Sequence, residues 1–241
     1  MQNQSPKQTR NLLKLLFILS IIFTFNLTAL GQHQFGIKAS GGISRITNSM
    51  DISGATLTTP FVSSGQAGLF YSFQLGKKSS LGAELLFSQI EGKEKTETDL
   101  KEINEFGESK LVGHSIYIYY SHISYLSLPV YYSFKTNKLA IIAGFQISYA
   151  LSSNGHDKTI ALINGQEETA DNKYDDIHIK NFDFGPKAGI IYNLTEKLAL
   201  EGTYYYGLNN IQKGNPILWQ LKVQQATLGL RYTLQSKETA K

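Results

Sequence analysis

The sequence predicts an all-β protein built as an eight-stranded antiparallel up-and-down transmembrane β-barrel. Three observations carry that expectation. From residue 34 onward apolar residues recur with period two and are punctuated by turn residues, without a helical period. Tight and long connections alternate strictly along the chain. The two faces of the strands also divide into a bulky apolar set and a small or weakly polar set, which is not how a soluble surface is dressed.

The chain of 241 residues begins with a stretch that reads as a secretory signal, residues 1–31, leaving a barrel domain over 32–241. Lys7, Arg10 and Lys14 precede "LLFILSIIFTFNLTAL", and Ala29-Leu30-Gly31 supplies the small residues of a cleavage site before Gln32. Without the three basic residues the formal charge drops from +4 to +1, with 20 basic against 19 acidic side chains, so no electrostatic footprint for nucleic acid remains. The chain has no Cys, which excludes a disulfide framework, thiolate metal sites, a cysteine nucleophile and a lipidated cysteine anchor. Only 17% of residues are charged, below the quarter usual for soluble domains.

Eight strands follow, near 34–44, 61–76, 81–91, 114–134, 139–152, 178–192, 197–209 and 220–235. The second and third are joined by "KKSS", the fourth and fifth by "KTNK", and the sixth and seventh by "NLTE"; the remaining connections, 45–60, 92–113, 153–177 and 210–219, are long. In a meander alternate connections share an end, so every tight turn falls at one end and every long loop at the other. Outer-membrane barrels segregate short periplasmic turns from longer extracellular loops in this way.

The fifth strand assigns the faces. Leu139, Ile141, Ala143, Phe145, Ile147 and Tyr149 alternate with Ala140, Ile142, Gly144, Gln146, Ser148 and Ala150. The eighth sets Leu228, Leu230, Tyr232 and Leu234 against Thr227, Gly229, Arg231 and Thr233. A small-residue face suits a narrow lumen and the bulky one suits lipid; a soluble lipocalin-like barrel would need the opposite assignment. The lumen side carries Lys38, Lys187 and Arg231 with Glu84, Asp183 and Glu201, an even balance that predicts an internal ion-pair network, because buried charge must be paired. On the bulky face aromatics gather toward both strand ends. Tyr71, Phe73, Tyr132, Phe134, Tyr192 and Tyr232 mark a girdle near the tight turns, and Phe87, Tyr149, Tyr204 and Tyr206 mark one near the long loops. Tyr205, between two girdle residues, points inward.

At "YLSLPVYYSF" (125–134) and "FDFGPKAGIIYNLTEKLALEGTYYYGLNNI" (182–211) the sequence resembles the PorT-like outer-membrane β-barrel family of the Bacteroidota. The resemblance spans about 34–235 and implies a small outer-membrane barrel, in one branch of the family an assistant of a secretion apparatus. It brings no catalytic residues with it.

The sequence lacks the phosphate-binding G-x-x-x-x-G-K-[ST], the G-x-S-x-G elbow, H-E-x-x-H and an EF-hand loop, and its five His lack metal-ligand spacing. His122 and Ser124 share the outward side of one strand, as in outer-membrane lipid A deacylases, but the adjoining fifth strand offers no carboxylate to orient the His, and the nearest downstream acid is Asp157. The charged stretch "EGKEKTETDLKEINEFGESK" (91–110) reads as a solvated extracellular loop, with cation bridging to lipopolysaccharide as the functional alternative. The resulting expectation is a monomeric structural or interaction protein, or an accessory of an envelope or secretion machine. Its partners are outer-membrane lipid, lipopolysaccharide and machinery proteins, with no cofactor, no metal and no nucleic acid. An outer-leaflet lipid-modifying enzyme and a narrow channel are the alternatives.

Overall fold

The computed structural model describes residues 33–48, 55–103, 109–163, 165–213 and 220–237; the signal sequence assigned to 1–31 lies outside them. Ten strands occur in this order: β1 (His33–Asn48), β2 (Ala55–Thr58), β3 (Val62–Gln74), β4 (Ser79–Ile103), β5 (Ser109–Thr136), β6 (Leu139–Ile163), β7 (Gln166–Tyr174), β8 (Phe182–Asn193), β9 (Leu198–Tyr206) and β10 (Leu221–Lys237). Eight of them close a ring, β1-β3-β4-β5-β6-β8-β9-β10 and back to β1, every pair antiparallel. This is the expected eight-stranded barrel. Closure removes the sheet edges, so backbone amides and carbonyls of the wall are met by neighbouring strands without water.

Alternation decides which side chains face which solvent. On β6 Phe145 is 64% exposed and its neighbour Gln146 only 3%. Large apolar side chains face outward on every strand of the ring, among them Ile37, Leu69, Leu85, Leu128, Ile190, Leu200 and Leu230. An apolar band that encircles the whole molecule far exceeds the patches a soluble monomer exposes, and it matches hydrocarbon. The expected girdle aromatics lie on this outer face, with Tyr71, Phe73 and Tyr206 half-buried. Phe182 and Phe184 add to the outer girdle, Phe182 packing edge-on to Tyr149 at 5.0 Å. Phe145 breaks the expected banding: it pairs with Val130 and Pro186, midway between the girdles.

The tight turns lie together at one end. In the β5–β6 turn Asn137 takes φ 52, a left-handed conformation that Asn tolerates. Carbonyls at corresponding places in the three turns each accept an amide from the neighbouring wall: Lys78 from Lys135 at 2.7 Å, Lys138 from Asn193 at 2.8 Å, and Lys197 from Thr233 at 2.7 Å.

At the opposite end the structure corrects the sequence reading. Residues 92–113 and 153–177 were expected as loops, yet β4 runs on to Ile103 and pairs with β5 out to Ser109, while β6 continues to Ile163. With β2 beside β4 and β7 beside β6, these outer segments make a five-stranded sheet that stands clear of the ring. From Glu91 to Ile103 it rises roughly 40 Å at about 3.3 Å per residue. Beyond Ile90 the β4 sequence puts Lys, Glu and Thr on both faces, so the alternation signal vanishes while the backbone pairing persists. A register shift at Ser124/Tyr125 between β5 and β6 marks the height at which the wall leaves the ring. The sixth strand starts at Phe182, not 178, because Ile177 and Ile179 turn inward ahead of it.

Candidate functional site

The lumen is filled in layers that follow the register of the wall. Nearest the tight turns lies a vestibule of about 150 Å³ that ends on Tyr131 and Arg231. Beside it Tyr131, Ala140, Ile142, Ile191 and Ala199 form a small apolar cluster.

Above the vestibule five of the six predicted lumen charges converge, all buried. Lys38 Nζ donates to both oxygens of Glu84 at 3.2 and 3.1 Å and also to Glu201. Arg231 Nη1 donates to Glu201 Oε2 at 2.9 Å and stands 3.6 Å from Glu84 Oε1. Lys187 Nζ reaches Glu84 Oε2 at 3.4 Å. Tyr131 donates its phenol proton to Glu84 Oε1 at 3.0 Å, and the Arg231 guanidinium lies over the Phe70 ring, 3.8 Å from its centroid. Lys38 and Arg231 are directly opposite each other across the β1–β10 seam, a like-charge pairing that is unfavourable by itself. Glu201, from the next strand, bonds to both and turns the repulsion into a bridge.

Two glycines make room for the aromatics of this layer. A Cβ on Gly82 would lie 2.3 Å from the Tyr131 ring, and one on Gly36 would lie 2.6 Å from the Phe70 ring. The sixth predicted charge, Asp183, is not part of the cluster; it accepts from Tyr205 Oη at 2.9 Å one layer higher. That layer is hydroxyl-rich, with Thr203 to Thr227 at 2.8 Å, Gln66 to Thr227 at 3.2 Å and Ser127 to Ser148 at 2.9 Å.

An apolar plug closes the outer end. Ile46, Ile90, Ile123, Tyr125, Tyr205 and Val223 reach in from the wall, and Ile179 and Ile211 reach in from the two inward-turning connections. Those connections are tied together, Lys180 N donating to Ile211 O at 2.6 Å. Ile211 escaped the sequence reading because a residue outside a regular strand carries no facing signal, and Ile179 because the sequence reads it as the start of a wall strand. Alternation that sends Tyr132 and Phe134 outward leaves Tyr131 on the lumen side, but only the register shows that it meets Glu84.

The outward side of the standing sheet carries three cross-strand His–carboxylate pairs: His114–Asp99 at 3.2 Å, His122–Glu91 at 3.6 Å and His156–Asp171 at 2.7 Å. The Glu91 contact supplies an acid beside His122 that was not anticipated, since it comes from β4 and not from β6. Ser124, by contrast, is buried at the register shift. Asp157 pairs across from Tyr119 and accepts from Asn172 at 3.3 Å, away from His122. Among the described residues no group of three or more His, Asp or Glu is placed to hold a metal.

A family model described as outer membrane protein beta-barrel domain matches residues 8–213. No curated protein matches the chain in sequence. Among solved structures the chain is similar to Ail, the attachment invasion locus protein of Yersinia pestis, at 15% identity and a TM-score of 0.37, covering 85% of this chain and 99% of that one. It is also similar to Neisserial surface protein A at 12% identity and a TM-score of 0.38, covering 83% and 97%. The outer membrane protein OprG from Pseudomonas aeruginosa aligns at 12% identity and a TM-score of 0.34, covering 85% and 95%.

Proposed function

From the premise that the chain belongs to the outer membrane protein beta-barrel domain family, and so to the bacterial outer membrane, we propose that its barrel is an anchor and its standing sheet the working surface. The observation that carries this is the contrast between the two ends of β4, β5 and β6. Within the ring the lumen is spent on an ion-pair layer and an apolar plug, whereas beyond it the same strands continue for many residues as a paired, solvent-facing sheet. A diffusive pore needs the reverse arrangement, an open lumen and little beyond it. The function is then a structural or interaction role at the cell surface. The PorT-like resemblance favours an accessory of an envelope or secretion machine, with lipopolysaccharide and machinery proteins as the partners.

Two measurements on the full chain test this. In planar bilayers the protein should give no discrete conductance; steady single-channel steps would overturn the anchoring role. In cells, shortening residues 92–121 and 153–175 to tight turns should leave a barrel that still changes electrophoretic mobility on heating while the surface phenotype is lost. A shortened protein with full biological activity would show that the sheet is dispensable.

A further inference from the structure

The vestibule at the tight-turn end has a chemistry that neither the anchor nor the sheet requires. Its mouth is lysine-rich: Lys77, Lys78, Lys135 and Lys197 line it, with Glu196 the one acidic side chain of the lining among the described residues. These lysines are not loose decoration. The Lys78 and Lys197 carbonyls each accept an amide from the neighbouring wall, and the amide donated to Lys78 is that of Lys135, so three of the four stems start from fixed points around the mouth. The walls below offer neutral donors, among them Ser72, Ser133, Thr233 and Gln74.

The floor is also unbalanced. The cluster behind it joins three cations, Lys38, Lys187 and Arg231, to only two carboxylates, Glu84 and Glu201. Asp183, whose charge made the lumen look balanced in the sequence, is bonded to Tyr205 one layer away. One positive charge of the buried cluster therefore has no counter-charge among its own members, in an environment where uncompensated charge is costly. The low-dielectric wall directs that field out through the vestibule, toward the lysine rim.

We propose that this vestibule binds a single anion of the phosphate class, held by Lys78, Lys135 and Lys197 at the rim and by the field of the Arg231 cluster beneath. A tetrahedral oxyanion suits the site because its several acceptor oxygens can take donors from the lysines and hydroxyls at once. The volume admits one such group and no polymer. Its source is either free phosphate in the aqueous phase or the headgroup of an anionic phospholipid in the adjoining leaflet, and the two are separable.

The test uses the full chain purified in a nonionic detergent free of phospholipid, at low ionic strength so that screening does not mask the lysines. In one arm inorganic phosphate is titrated and followed by phosphorus NMR line broadening. In the other, micelles are doped with phosphatidylglycerol or with an uncharged glycolipid, and retained lipid is read by native mass spectrometry. The triple variant K78Q/K135Q/K197Q alters only exposed side chains at the tight-turn end, and its heat-dependent mobility shift checks that it remains folded. Saturable binding in the first arm, weakened about tenfold or more in the variant, supports the free anion. Selective retention of phosphatidylglycerol that the variant loses supports the headgroup. No saturable binding in either arm, or binding that the variant weakens less than that, overturns the proposal.

Discussion

Glu84 is the hinge of the lumen at the residue scale, because it alone contacts all three cations of the cluster. Neutralising it leaves Lys38, Lys187 and Arg231 sharing one carboxylate in a buried site, the situation in which a broken buried pair costs about 3–5 kcal/mol. Glu84→Gln should therefore lower the unfolding free energy in detergent by roughly that amount, measured by urea titration with the mobility shift as readout. A loss under about 1 kcal/mol would mean that solvent reaches the cluster. Gly82 tests the same layer by shape. A methyl group there meets the Tyr131 ring at 2.3 Å, so Gly82→Ala must push that ring away from Glu84 or bend the wall. The expected cost is about 1–3 kcal/mol, the usual range for overpacking, and Tyr131→Ala in the same chain should relieve most of the clash. If the double variant is as unstable as the sum of the two single ones, the ring is not the obstacle.

At the scale of elements the standing sheet yields the clearest pH prediction. On its inner face Tyr117 and Tyr119 lie beside each other and near Asp157, Tyr174 and Glu94. Burial first, and then the surrounding acidic groups, push both phenols from 10.0 up to about 12. The folded sheet thus holds protons that the unfolded chain would release. Its stability should stay level below about pH 10 and fall as pH rises toward about 12. Ultraviolet titration of tyrosinate should show these two ionising after the exposed tyrosines; ionisation in step with them would place both phenols in water.

This same sheet shows where sequence reading stops. Alternating Leu, Ile and Tyr against Gly, Ser and Gln made β6 and β10 legible, because one face meets lipid and the other a packed lumen. The stretch from Glu91 to Ile103 puts Lys, Glu and Thr on both of its faces, so nothing in it alternates. Pairing to β5 alone makes it a strand. Five members of the charge cluster were legible for a similar reason, since a charged residue on a small-residue face has nowhere else to go. Which bases Glu84 and Asp183 would meet was not legible, because that depends on the stagger of eight strands around the ring; Asp183 therefore looked like a member. Glu91 beside His122 was missed on the same ground, as cross-strand neighbours on β4 are more than thirty positions away in the chain.

Taken as a whole, the molecule has one buried charge cluster and, at both ends, charges open to water, and salt should tell the two kinds apart. The buried cluster is shielded little by ions, whereas the His–carboxylate pairs on the sheet are open to water and are screened within about 10 Å at 0.1 M. Raising salt from about 0.1 M to about 1 M should leave the unfolding midpoint of the barrel nearly unchanged. A large downward shift would relocate the barrel's electrostatic stabilisation to the surface.

The seam between β1 and β10 has a kinetic meaning. Its sixteen residue pairs join the first strand to the last, the longest sequence separation in the ring. Such pairing forms slowly because the chain entropy of bringing the strands together must be overcome before any contact rewards it. A slip of two residues would keep every side chain on its proper face, so hydrophobicity cannot police the final zip. Electrostatics can: displaced by two, Lys38 would sit opposite Gly229 or Thr233 and not opposite Arg231, and the bridge that Glu201 makes between them would be lost. A misaligned closure that the lipid-facing pattern alone would accept therefore carries the penalty of a broken buried cluster.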